Sequence, residues 1–212
     1  MGKQDRARRT RGLVLDAAAV EFAAQGFAAT NLQVVARHTG LTKGALYGHF
    51  ASKAELAAEL TRQFEEHWQA LLNAAKGSGA PPLRVLDLLL TQLSDHAQHD
   101  VRFRAGLRLV SEKGWAEGTS TEQVEQLRAL LLHLVAGAQE SGGIDPGHRP
   151  EVLSQLFLAV LLGQCHTVTA GPPEQDGRQT QQLWKTLLPA MRHPVMGLAR
   201  AAAPIPRAVQ GS

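Results

Sequence analysis

The chain has 212 residues, 22 Lys and Arg against 19 Asp and Glu, a formal net charge of +3 and 44% hydrophobic residues. That apolar content can bury a sizeable core and excludes global disorder; the single cysteine, Cys165, excludes a disulfide scaffold and suits a reducing, cytoplasmic compartment. The longest apolar stretch, 152–169, is interrupted by Gln155, Gln164 and His166, and the basic N-terminus has no apolar run behind it, so neither a membrane partner nor a secretory signal is expected.

Helical periodicity runs nearly throughout and strand signals are almost absent. Residues 1–8 read as a basic flexible arm. A first helix over 9–25 has Val14, Ala17, Ala18 and Phe22 on one face and stops at Gly26, with Phe27 packing back. Thr30 or Asn31 caps a short second helix carrying Leu32, Val34 and Val35, which stops at Gly40. Thr42 caps a third, through Leu46, Tyr47 and Phe50. Ser52, with Glu55 three residues on, opens a long fourth helix whose stripe is Leu56, Leu60, Phe64, Trp68, Leu71 and Ala75. A Gly-Ser-Gly-Ala-Pro-Pro linker at 77–82 leads to a fifth helix over 83–98 and a sixth over 101–112. A loop at 113–120 precedes helices over 121–140, 150–170 and 174–192. The Ala/Pro-rich tail at 199–212 reads as disordered. The expected fold is all-α: a three-helix head over 1–52 and a larger helical body over 53–198.

The charge is uneven. Residues 1–53 hold eight Lys or Arg and three acids, a balance of +5, while the remainder carries −2. A basic head on a mildly acidic body suits a polyanionic partner. Helices two and three, joined by a turn at 38–41, have helix-turn-helix spacing, in which the second helix enters a major groove of double-stranded DNA. At the start of that helix Lys43 can donate to guanine, Ala45 can touch a thymine methyl, and Gly44 lets the backbone come close. Thr42, Tyr47, His49 and Lys53 lie along the same edge and suit phosphate contact, as does Asn31 at the start of helix two.

The run Gly-Leu-Thr-Lys-Gly-Ala-Leu-Tyr-Gly-His-Phe at 40–50, followed by Ser52-Lys53, closely resembles the DNA-binding signature of TetR-family repressors. So does the lead-in LDAAAVEFAAQGFAATNLQVVARHTG; together the match covers about residues 9–60. Gly48 departs from it, standing where the family often has an aromatic residue, and Glu21 stands where the family usually has an apolar one. Val-Arg-Phe-Arg-Ala-Gly-Leu-Arg-Leu at 101–109 resembles the γ-butyrolactone receptor group of that family. The Tyr-Gly-His-Phe variant and the Asn-Leu-Gln run are similar to its pseudo-receptor subgroup, which senses antibiotics or pathway intermediates. The resemblance implies a homodimeric repressor of antibiotic-biosynthesis genes, released from a palindromic operator by a small-molecule effector. It places Gln126 where true receptors have a pocket Trp, with Trp115 as the candidate substitute. It also implies that the last two helices pair with a partner's to form a four-helix bundle.

The body is rich in apolar helix surface. An effector cavity there would have apolar walls from Trp68, Leu89, Leu93, Phe103, Leu107, Leu130 and Phe157, and polar groups from Gln63, Gln126, Gln164 and Thr167. The stripes Leu153, Leu156, Val160 on helix eight and Leu183, Trp184, Leu187, Met191 on helix nine exceed what one small body covers and suit a dimer interface. An enzyme is not expected. No phosphate loop or HExxH motif is present, and Cys165 and His166, adjacent on a helix, point about 100° apart. His96 and His99, with Asp95 and Asp100, have spacing that can seed a metal site, but the stronger reading is an exposed helix end, so no metal or cofactor is expected. Two alternatives stand beside an antibiotic-pathway regulator: a multidrug-type sensor controlling an efflux pump, and a repressor with no effector.

Overall fold

The computed structural model describes residues 2–117, 121–167 and 173–192. Of the residues expected around an effector, Trp115, Gln164 and Thr167 have side chains outside the described set, and so does the whole tail at 199–212. Among the described residues all regular structure is helical: α1 (Lys3–Ala29), α2 (Leu32–Thr39), α3 (Lys43–Tyr47), α4 (Lys53–Gly77), α5 (Pro82–His99), α6 (Val101–Glu117), α7 (Glu122–Glu140), α8 (Pro150–Thr167) and α9 (Pro173–Ala190).

Several boundaries differ from the expectation: α3 ends at Tyr47, short of Phe50, and after a kink at Gly26 helical structure runs on to Ala29; others lie at residues 3–8 and at the end of α6. Residues 3–8 are the first turns of α1, not a flexible arm. Asp5 stands in the first turn and accepts the Gly2 amide at 3.2 Å, and the Arg, Gln and Ala around it are strong helix formers. At the other place α6 continues to Glu117, so the backbone of Trp115 is helical and not in a loop. By length and composition the Gln4–Ala29 stretch of α1 could cross a bilayer, but Val14, Leu15, Ala18, Ala19 and Phe22 are buried in the protein core.

The caps expected at Asn31, Thr42 and Ser52 form, and the structure adds one at Thr121. Asn31 accepts from Gln33 N at 2.9 Å, Thr42 from Ala45 N at 3.2 Å, Ser52 from Glu55 N at 3.1 Å and Thr121 from Val124 N at 3.4 Å. Glu55 reaches back to the amide of Ala51, one residue before the cap, at 2.7 Å. Thr30 is buried instead, its hydroxyl donating to the Gly26 carbonyl at 2.6 Å.

Two apolar cores result. The first joins Val14, Phe22, Val35, Leu46 and Phe50 of the head region to Leu56 and Leu60 of α4 and to Ala105 and Leu109 of α6. The second lies among α4, α5, α6, α7, α8 and α9. Helices α4 and α6 therefore serve both, and they cross closely. A Cβ on Gly106 would stand 2.9 Å from Phe64 Cγ and 3.0 Å from the Leu60 carbonyl oxygen. Contacts that short force backbone to move. Gly106→Ala is expected to destabilise the fold by about 1–3 kcal/mol, read as a lower midpoint in chemical denaturation with an unchanged slope.

Candidate nucleic-acid interface

Helix α2 ends at Gly40, left-handed at φ 67°, whose amide and that of Leu41 bond back to Arg37 and Ala36. The chain then turns and Thr42 starts α3. Leu32, Val35 and Leu46 are buried on the inner side, so the outer side of this pair is polar. There Thr42, Lys43, Gly44 and Ala45 are all exposed, and Tyr47 is 41% exposed. The Lys43 ammonium hangs 5.9 Å from the Tyr47 ring, free to extend. Asn31, Lys43, Tyr47 and Lys53 line one surface cleft, together with Gln33, a residue the sequence reading left out. Gln33 follows the α2 cap, and the short Asn-Leu-Gln run was the signal for it.

Several of the expected contact residues are partly committed inside the chain, Thr42 through its cap hydroxyl. Lys53 donates to the carbonyls of Ala28 and Thr30, at 3.0 and 2.9 Å, and lies 4.8 Å from the Phe27 ring. Its ammonium thus braces the end of α1 and keeps one donor for another partner. Asn31 uses its oxygen as a cap, which leaves its amide group. His49 is half-buried, and its carbonyl accepts from Arg11 at 2.7 Å while the Arg11 guanidinium stacks 3.9 Å over Phe50. Glu21, polar at an edge of the core, faces His38 at 3.8 Å. On α1, Arg6, Arg8 and Arg9 are exposed and add to the positive side of the head.

The head is clamped to the body by α6. Gly26 breaks α1 at φ 75°, which strands the carbonyls of Ala23 and Ala24 and the amide of Phe27. Arg108 donates to both carbonyls, at 2.8 and 2.9 Å, and Glu112 accepts the Phe27 amide at 2.8 Å. The two side chains also pair with each other at 3.0 Å. A Cβ on Gly26 would lie 2.7 Å from Glu112 Cδ, so a glycine suits this joint for both its backbone and its space. One helical turn or more earlier, Arg102 pairs with Asp16 at 2.7 Å and reaches the Gly12 carbonyl at 3.3 Å.

The expected effector residues separate into two sets. Gln63 is not in the body core: it donates to Glu59 at 2.7 Å and accepts from Arg102 at 3.3 Å, within the polar joint between α4 and α6. The Arg62 guanidinium bonded to Glu59 holds that carboxyl below its ordinary range. Gln126 is likewise a surface residue, bridging Gln69 at 2.8 Å and Glu122 at 2.9 Å. Both lie a position off the apolar stripe, and their amides reach polar neighbours there. Trp68, Leu89, Leu93, Phe103, Leu107, Leu130 and Phe157 are all buried in the second core. Among them Trp68 stands out: its indole Nε1 is buried without a hydrogen-bond partner.

The residues expected at a dimer interface also divide. Leu153, Trp184 and Met191 turn inward; Trp184 is 1% exposed, packs edge-on against Phe157 at 6.0 Å and donates to Ser94 at 2.8 Å. Leu156 and Leu183 are exposed and Val160 and Leu187 are half-buried, with Val152 beside them at 56% exposure. The stripes are wide enough for two faces, and the protomer's own core takes one of them.

Two short helices at a tight turn, the second exposed at its start, in a head that also exposes Lys43, Arg6, Arg8 and Arg9, define a helix-turn-helix DNA-binding regulator. Residues 14–60 match the bacterial regulatory proteins of the tetR family. Over 92% of this chain, and 68% of the relative, the sequence is 30% identical to the A-factor receptor protein of Streptomyces griseus. Among solved structures, the chain is similar to CprB, a TetR-family protein of S. coelicolor A3(2), with a TM-score of 0.70 and 26% identity over 92% of this chain and 94% of that one. CprB in complex with its operator sequence aligns with a TM-score of 0.68, at 25% identity over 86% and 88%. A structure described as the molecular basis for control of antibiotic production by a bacterial hormone aligns with a TM-score of 0.60, at 26% identity over 86% and 97%. The chain belongs to the TetR family and is a transcriptional regulator.

Arg108→Met keeps the side-chain stem but removes the donors for Ala23 and Ala24. The expected loss is about 1–2 kcal/mol, with faster amide exchange at 26–30 than in the rest of α1, measured by hydrogen–deuterium exchange.

Proposed function

We propose that this protein is a cytoplasmic, ligand-responsive repressor. It binds a palindromic operator as a homodimer and is released by a small hydrophobic effector, a γ-butyrolactone-type signal or an antibiotic or pathway intermediate, so that it regulates antibiotic biosynthesis. The observation that carries the effector half is the unpartnered Nε1 of Trp68 inside an otherwise apolar core. A buried donor without an acceptor is costly, and an effector carbonyl would relieve it. The A-factor receptor and the hormone-control structure supply the effector class. The exposed Lys43 and Ala45 at the head of α3 support DNA reading, with Thr42, Tyr47, Asn31 and Gln33 toward phosphates. The face formed by Val152, Leu156 and Leu183 supports the dimer, which would set two α3 helices about one DNA turn or a multiple apart.

The mechanism follows from the joints. Effector entry beside Trp68 displaces α4 and α6 where they cross. Through Arg102, Arg108 and Glu112 that displacement reaches α1, and through Leu56 and Leu60 it reaches the head core. The two reading helices then lose register with the grooves. A hundredfold loss of operator affinity requires the effector to favour the released form by about 2.7 kcal/mol.

The burial of Leu89, Leu93 and Phe157 in a closed core favours a second reading, a repressor with no effector. The deciding experiment is a gel shift on DNA from the upstream region of its own gene, titrated with γ-butyrolactones and with antibiotics. Release by either class supports the proposal, and release by the antibiotics alone makes it a pseudo-receptor. A complex that both leave intact favours the second reading. Trp68→Phe is expected to leave operator binding unchanged and to raise the effector concentration needed for release by roughly 3- to 10-fold, the worth of one neutral hydrogen bond. Lys43→Ala is expected to weaken specific operator binding by about 1–3 kcal/mol. Affinity unchanged by that substitution would remove Lys43 from the base-reading set.

A further inference from the structure

Three side chains with metal-ligand chemistry meet at the corner where α5 gives way to α6. His67 comes from α4, His96 from the last turn of α5, and Asp100 stands between the two helices. The Nε2 atoms of the two histidines are 3.1 Å apart, and the rings stand at 75° with centroids 4.1 Å apart. One ligand atom from each of the three residues lies within 4.8 Å of the other two, and all three residues are half-buried. His99, which the spacing in the sequence paired with His96, is not part of the group: it turns to Asp95 at 3.0 Å. His67 takes its place and comes from 29 residues earlier in the chain.

The group is held in position on several sides. Phe103 packs against both rings, at 5.6 Å from His67 and 5.4 Å from His96. Asp100 Oδ1 caps α6, accepting the amides of Arg102 and Phe103 at 3.0 and 3.1 Å, which fixes the carboxylate and leaves its second oxygen for another partner. Two imidazole nitrogens bound to one tetrahedral ion at about 2.0–2.1 Å stand roughly 3.3 Å apart. The observed separation of 3.1 Å is close to that. A hydrogen bond between the rings accounts for the pair and the α6 cap fixes Asp100; together they gather three groups of metal-ligand chemistry in one half-buried corner.

We propose that His67, His96 and Asp100 form a binding site for a divalent transition-metal ion of the zinc class. Two imidazoles and one carboxylate suit zinc, cobalt or nickel over calcium or magnesium, which take oxygen ligands. Three protein ligands leave one tetrahedral position for water or for an oxygen of a bound molecule. The ion joins the middle of α4 to the α5–α6 corner, two residues before Arg102 and its pair with Asp16 of α1. Metal therefore braces the body at the root of the joint with the head.

The test uses the full chain without a histidine tag. Cobalt is titrated as a spectroscopic probe and zinc by calorimetry. One ion per chain is expected, with a ligand-field band of a tetrahedral site and a higher unfolding temperature in zinc. His67→Gln and His96→Gln should each lower the affinity by about 100-fold or more, and Asp100→Asn, which keeps a capping oxygen, by about 10-fold. Helical circular dichroism checks each variant, and His67, partly exposed on a long helix, keeps the test sound if the His96 variant unfolds. Absence of cobalt and zinc uptake by the wild-type chain would overturn the site. So would wild-type affinity in the His67→Gln, His96→Gln double variant. The readout is metal uptake, so it is decided separately from operator and effector binding.

Discussion

The broken end of α1 is the constraint on which the rest of the molecule depends. Gly26 must turn the chain toward α2, and the turn leaves two carbonyls and an amide without helical partners. Groups stranded in this way need partners in solvent or in side chains. They find them in an Arg–Glu pair on α6, 85 residues later in the chain. The same pair thus completes the head and attaches it to the body. Because Arg108 and Glu112 also bond to each other, neither end of the clamp is an isolated charge.

The crossing of α4 and α6 has the complementary role. Gly106 lets the two backbones approach, and the residues on either side of the crossing belong to different cores. Leu60 faces the head and Phe64 faces the body, one turn apart on one helix. A change in the body at Phe64 or Trp68 is therefore one helical turn from the packing of the head. Well-packed cores shift between arrangements and do not deform smoothly, which makes such a crossing a suitable place for a switch. The polar joint around Asp16, Gln63 and Arg102 lies on the same seam and ties it on the outside.

The candidate sites sit at two distances from this seam. The exposed start of α3 belongs to the head, where the basic residues gather. Trp68, His67 and Phe103 are neighbours within the body, so the unpartnered indole and the histidine pair share one wall of aromatic rings. An effector beside Trp68 and a metal at His67 would both act on α4, and through it on the head.

Much of this was legible in the sequence. The all-helical class, the caps at Asn31, Thr42 and Ser52, and the turn at Gly40 are local: each depends on residues within a turn of one another. The exposed cluster at 42–47 was legible for the same reason. The apolar stripes identified core-forming faces, but period alone could not say which face of a wide stripe meets its own protomer, so Trp184 and Leu156 were read alike and lie on opposite sides. The tertiary structure alone decided the long-range pairings. Gln63 and Gln126 reached polar partners on neighbouring helices, Arg108 found carbonyls 84 and 85 residues away, and His96 met His67 instead of His99. Such pairings are set by how helices cross and rotate, and helical spacing within one segment carries no information about the angle at which another will lie across it.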